Sequence, residues 1–295
     1  MLLLPIVSIL FFQGQGGDSV LAARIRQLLH VVITTDNEKQ EAAAEAEARE
    51  IFSKRGLPVI AAVGDEAAYE FVVLACLHGP EEFQKQVLRK AREGAKRHEI
   101  PPDAVIYSAA HVSQEIVKAK ARKHAPADPA LRDEIERLFT VDQAVREKNG
   151  FDMEKMMRTD REHAPALEAI FEKHGVPAYR MVGPQAASDF ITMLQHQPPE
   201  FRRRVLPKLK ANVDAGQADP RSYAQMLDRL LTDAGQKQTY GENLTCDPQH
   251  PRLHTGPIED GAQVNRRRAA IGLVRLELYA QLVVEMSPNF CGAPN

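Results

Sequence analysis

The sequence lacks any strong excess of charge: 38 Lys and Arg stand against 40 Asp and Glu, a formal net charge of −2. That balance removes the electrostatic reason to expect nucleic acid or an acidic membrane as a partner. Also missing are a glycine-rich phosphate loop, a nucleophile elbow and a His-Glu-x-x-His pair. The common signatures of nucleotide binding, α/β-hydrolase chemistry and zinc proteolysis are therefore absent. Sustained alternation of β-branched residues is lacking too, so little sheet is expected.

Long apolar runs are scarce. Residues 2–12, Leu-Leu-Leu-Pro-Ile-Val-Ser-Ile-Leu-Phe-Phe, form the one long uncharged stretch. It is shorter than the ~20 residues a helical span needs, but it suits the apolar part of a signal peptide. Gly14-Gln15-Gly16 offers small residues for cleavage, although no basic segment precedes the run. Residues 1–17 are thus read as a signal peptide and the protein as secreted or periplasmic, with a buried start and a cytoplasmic protein as the alternative. Cysteines number only three. Cys76 lies in an apolar helical stretch and reads as a core residue. Cys246 and Cys291 sit in loop-like sequence and could pair if the protein is exported.

What is present is a repeat. Ile51-Phe52-Ser53-Lys54-Arg55-Gly56-Leu57-Pro58 with Val63-Gly64 returns as Ile170-Phe171-Glu172-Lys173-His174-Gly175-Val176-Pro177 with Val182-Gly183. Each frame is followed by apolar stripes at helical spacing. In the second these are Ala186, Ala187, Phe190, Ile191, Leu194, then Phe201, Val205, Leu206, Leu209, Val213, then Tyr223, Met226, Leu227, Leu230, Leu231. In the first they are Ala67, Ala68, Phe71, Val72, Ala75, then Phe83, Val87, Leu88, Ala91, then Val105, Ile106, Ala109, Val112. Glycine suits a left-handed helix end, and the following proline stops continuation. The pattern predicts an all-α protein of duplicated antiparallel helical units. The first copy spans 18–125. The second spans 131–285 and begins after Pro126-Ala127-Asp128-Pro129. Residues 235–261 form a long irregular segment near the C-terminus, a length that is often functional. A final helix is expected from about Arg266, carrying Ile271, Leu273, Leu276, Leu278 and Leu282.

The copies share stripes but not polar residues. Gln195-His196 and Asp228-Arg229 project off the apolar stripes of the second copy. At the positions of Asp228-Arg229 the first copy has Ala110-His111. His196 is the group best able to carry a proton near neutral pH. Asp228 could orient or deprotonate a partner, and these two are the candidate catalytic residues. A solvated or capping histidine and a structural ion pair are the ordinary alternatives. Gln195, Gln238 and Tyr240 would supply neutral hydrogen bonds, while Arg229, Arg267 and Arg268 could clamp an anion. A tyrosine packed under a loop is the plain reading of Tyr240. Arg266-Arg267-Arg268 at a helix start needs a carboxylate partner, in the fold or on a ligand. The run Lys118 to His124 reads as a solvated helix end. Cys246, His250 and His254 have a ligand-like spacing that chance also produces, so no metal is assigned.

These residues fall into an ordered series: Asp142-Gln143-x-x-Arg146, Asp160, His174-Gly175-x-Pro177, Gln195-His196, Asp228-Arg229, Gln238-x-Tyr240-Gly241, Pro257-Ile258-Glu259-Asp260, Arg267-Arg268 and Gly272-Leu273-x-x-Leu276-x-x-Tyr279. Over roughly residues 131–280 the series resembles an uncharacterised bacterial family, a domain of unknown function. The resemblance adds Asp142, Gln143 and Arg146 to the binding candidates and implies no activity or cofactor. Three places depart from the family pattern: Val176 replaces Trp, Gln197-Pro198 replaces Ala-Asp, and Glu242-Asn243 replaces Thr-Gln. The expected function is that of a small-molecule- or peptide-binding helical domain or an enzyme, with its polar pocket in the second copy. A helical-repeat module that binds another protein without catalysis is the alternative.

Overall fold

The computed structural model describes residues 17–35, 37–77, 79–146, 152–246 and 253–286. Among them the fold is mainly α, with fourteen helices and one two-stranded sheet. None of these helices is long and apolar enough to cross a membrane. Most of the expected signal segment, residues 1–16, lies outside the described residues, as do His250 and Cys291.

The chain divides into two compact units between Pro102 and Asp103. In the first unit, α1 (Ser19–Thr34), α2 (Glu38–Arg55), α3 (Ile60–Val63), α4 (Asp65–Leu77) and α5 (Glu81–Lys96) follow in order. Asp18 and Asn37 cap α1 and α2 by accepting N–H bonds from Leu21 and from Lys39 and Gln40, which satisfies donors the helix leaves open. The core helix is α4, buried on every side from Ala67 to Cys76, as its sequence, apolar but for the buried Glu70, dictates.

The second unit takes α6 (Pro102–Arg122, from Asp103 on), α7 (Pro129–Arg146), α8 (Met153–His174), α9 (Tyr179–Val182), α10 (Pro184–Gln195), α11 (Pro199–Asp214) and α12 (Pro220–Asp233). The sequence placed the boundary at Pro126–Pro129 and α6 with the first copy; by contacts α6 groups with the second unit. Its buried side chains are Ala104, Tyr107, Ser108 and Val112, while Ile106 is exposed. Of the expected stripe Val105, Ile106, Ala109 and Val112, only Val112 is buried, so the packed face is turned part-way around the helix. On α10 the expected stripe is the core: Ala186, Ala187, Phe190, Ile191 and Leu194 are all buried, packed with Leu131, Ile135 and Leu138 of α7. Both Gly-x-Pro frames adopt one local geometry, with Gly56 at φ 74° and Gly175 at 71°, then Gly64 at 84° and Gly183 at 85°.

After α12 the chain is irregular, with β1 (Thr245–Cys246) paired antiparallel to β2 (Leu253–His254) and a parallel bridge from Gln238 to Ile258. The expected last helix is two, α13 (Val264–Ala270) and α14 (Leu276–Met286). Gly272 at φ 74° breaks them. The Arg268 Nε donates to the Val274 carbonyl at 2.6 Å and holds the break in shape.

Candidate functional site

The site is built where the C-terminal end of α10 meets α12. Thr192, Gln195 and the terminal His196 stand on one side. Ser222, Gln225 and Arg229 recur at helical spacing on the other. The Gln195 Nε2 donates to the Ser222 carbonyl at 3.2 Å and ties the two helices together. Glu242 and Asn243, from the irregular segment, complete the wall. Together Thr192, Gln195, His196, Gln225, Arg229, Glu242 and Asn243 line a cavity of about 250 Å³.

Asp228 does not line this cavity. It is fully buried, and its carboxylate accepts the backbone N–H groups of Thr239 (2.7 Å), Tyr240 (3.2 and 3.1 Å) and Glu242 (2.9 Å). Its lone pairs are spent on the chain that follows α12, so it positions the loop. Gln238 does the same work one step further. Its Oε1 accepts from Asn243 N at 2.9 Å, and its Nε2 donates to the carbonyls of Asn243, at 2.9 Å, and Thr255. Both polar groups of the Asn243 backbone are held by one side chain, which sets Asn243 at the cavity wall.

Arg267 and Arg268 are also engaged within the fold. Arg267 donates to the Thr239 carbonyl at 3.0 Å and to those of Asp260 and Glu259. Arg268, only 1% exposed, donates to the Tyr240 carbonyl at 2.7 Å. Its Nη1 stands 2.8 Å from the buried Glu242 carboxylate, and Arg221 approaches the other oxygen at 3.4 Å. Neither approach has hydrogen-bond alignment, so the arginines neutralise the carboxylate by charge. Arg268 and Arg221 also sit over the Tyr279 ring, at 4.9 and 5.4 Å from its centre. The carboxylate partner expected for the arginine cluster is thus Glu242, inside the fold. Tyr240 keeps its backbone on Asp228; burial, then the nearby Tyr223 and Asp228, raises its hydroxyl above the ordinary tyrosine value.

Asp142, Gln143 and Arg146 lie at the end of α7 and stand beside His196 without lining the cavity. The Asp142 carboxylate accepts from Arg146 at 2.8 and 3.1 Å and from Gln143 at 2.8 Å, and Arg146 also pairs with Asp160. Burial alone would raise the Asp142 carboxyl; the bond and charge of Arg146, with His196 and Gln143, together hold it below the ordinary value. His196 is pushed below the usual imidazole value, chiefly by burial and then by Arg146 and Arg229, with Asp142 and Asp160 opposing. The imidazole is neutral at pH 7 and can both donate and accept a hydrogen bond.

Arg229 differs from the other arginines around it. Among the described residues its guanidinium has no hydrogen bond or ion pair. Arg229 is an exposed residue, yet enough protein surrounds the head group that burial and the charge of Arg202 lower it, against Asp233 and Asp160. Gln195 contributes another unmet need: its Oε1 is buried without a partner. Thr192, Gln225, Glu242 and Asn243 were missed as site residues by sequence reasoning. Gln225 precedes Arg229 by one helical turn, and that spacing was the available signal.

Of the three places that depart from the family pattern, Glu242-Asn243 lies in the cavity wall, while the other two are structural. Val176 is buried and its carbonyl accepts from Asn212 at 2.8 Å; Gln197 is buried and donates to the Asp160 carbonyl at 3.2 Å. Cys246 is disulfide-bonded, so it offers no thiolate to a metal, and its proposed partner Cys291 lies outside the described residues. No group of three or more potential metal ligands occurs among the described residues.

Residues 124–287 match the model of a family described as a family of unknown function (DUF6624). No curated protein and no solved structure matches the chain.

Proposed function

The chain belongs to the DUF6624 family, a family of unknown function, and from that premise we propose that its second unit is a binding domain for a small polar molecule. The ligand sits between the ends of α10 and α12, and His196 is the group that exchanges a proton with it. The observation that carries this reading is the convergence of Gln195, His196 and Arg229 on one cavity of about 250 Å³. That volume lies just below the roughly 300–1,000 Å³ of drug-sized sites, which favours a metabolite-sized occupant. A neutral imidazole beside an unpaired guanidinium is also the kind of arrangement used for general acid–base work. Asp228 serves this site as a positioning residue, because it holds the loop that carries Glu242 and Asn243.

The test is an NMR titration of small polar compounds followed at the His196 ring. Binding compounds should move the His196 resonances and lose their effect in Gln225→Trp, which fills the cavity. Compounds that bind while leaving His196 unmoved would refute the reading. The alternative, an interaction module, draws on the exposed side chains of Val141, Met153 and Met157; the polar cavity favours the first reading.

A further inference from the structure

The charges around the cavity can be accounted for one by one. Asp142 and Asp160 are held by Arg146. Asp233 is held by the Arg202 Nη2 at 2.6 Å. Glu242 lies between Arg268 and Arg221. Every carboxylate near the cavity therefore has a guanidinium within 4 Å, whereas the exposed Arg229, which Asp233 and Asp160 reach only as more distant charges, has no hydrogen bond or ion pair among the described residues. The remaining lining groups, Thr192, Gln195, His196, Gln225 and Asn243, carry no fixed charge.

We infer that the ligand of this pocket carries an oxyanion, a carboxylate or a phosphate, which Arg229 binds through its paired N–H groups. The inference deepens the proposed function and rests on it. The planar fork of a guanidinium matches a two-oxygen anion, and such pairs are shorter and stronger than neutral hydrogen bonds. A cation left unpaired while each neighbour is matched fits an incoming anion better than a structural role. The neighbouring positive charge of Arg202, whose buried Nη1 has no hydrogen-bond partner, adds attraction for an anion at the same end of α12. Arg229 is in this sense the specificity-determining residue: it selects charge, while the amides of Gln195, Gln225 and Asn243 select shape.

The experiment uses the full chain and matched probes. N-acetylglycine and N-acetylglycinamide differ in charge with nearly the same shape, and inorganic phosphate supplies the second oxyanion. Each is titrated into the wild type and into Arg229→Gln, with the His196 ring resonances and the thermal midpoint as readouts. The expected result is that N-acetylglycine or phosphate moves the His196 resonances at least tenfold more tightly than N-acetylglycinamide. Arg229→Gln should abolish that preference, and Arg229→Lys should restore part of it. A response to N-acetylglycine alone identifies a carboxylate, and one to phosphate alone a phosphate; both support the inference. Equal binding of the neutral amide, or unchanged anion binding in Arg229→Gln, overturns the inference and leaves the pocket standing. If no probe moves His196 in the wild type, the pocket reading falls with it.

Discussion

Both carboxylate oxygens of Asp228 accept the backbone N–H of Tyr240, at 3.2 and 3.1 Å. The same carboxylate takes the N–H groups of Thr239 and Glu242, so one buried anion fixes a whole turn. Asp228→Asn replaces one acceptor by a donor that faces amide hydrogens. Charged hydrogen bonds of this kind are worth roughly 1.5–3 kcal/mol each, and the expected loss is on the order of 3 kcal/mol in urea unfolding. Hydrogen exchange at the Thr239, Tyr240 and Glu242 amides should accelerate with it; unchanged protection there would show that the anchor is dispensable.

Gly241 sits inside this turn at φ 74°, and a Cβ there would meet Leu276 Cδ1 at 2.9 Å and Ile258 Cδ1 at 3.0 Å. Backbone strain and overpacking act together, so Gly241→Ala should cost about 1–3 kcal/mol. Gly175, also at positive φ but with nothing within 4 Å, should lose less on the same change, from strain alone. A thermal-denaturation comparison of the two variants checks the ranking.

Glu242 and Arg268 are almost wholly buried. Removing one charge strands the other, and breaking such a pair typically costs about 3–5 kcal/mol. Glu242→Gln should fall in that range. Replacing both, Glu242→Leu with Arg268→Met, should lose less than the single change, because no buried charge is then left alone. A double-mutant cycle in urea measures the difference.

The pH dependence follows from His196. Its value in the fold lies below the ordinary 6.5 because burial and Arg146 disfavour the imidazolium. Between that lowered value and 6.5 the unfolded chain binds more protons than the folded one, so stability rises with pH across this window and is lost on acidification through it. His196→Gln should flatten that part of the profile. The lowered Asp142 carboxyl acts in a separate window: its contribution is present above 3.8 and is lost as pH falls through its folded value. Thermal midpoints from pH 3 to 8 in the two proteins separate the windows.

Much of this was legible in the residues. The α10 stripe and the positive-φ glycines of the two Gly-x-Pro frames follow from side-chain spacing and glycine's backbone freedom, which are local properties. On α6 the expected stripe ran through Val105, Ile106, Ala109 and Val112, whereas the packed face keeps Val112 but adds Ala104, Tyr107 and Ser108, the last two of which apolar patterning underweights. Gln195, His196 and Arg229 were readable as polar residues off the core and do share a cavity. The burial of Asp228 was not readable, because its partners are backbone amides eleven to fourteen residues further on, which no side-chain pattern records. Gln238, Arg267 and Arg268 were hidden for the same reason: carbonyl groups satisfy them.

The most direct test of the division between loop-holding and ligand-facing residues is a crystal structure of the full chain soaked with N-acetylglycine and, separately, phosphate. The account predicts density for the oxyanion in the α10–α12 cavity, within hydrogen-bond distance of the Arg229 guanidinium and beside His196, with Asp228 still bound to its loop amides. Density bound elsewhere with this cavity empty, or an Arg229 side chain paired to a carboxylate of the protein itself, would contradict it.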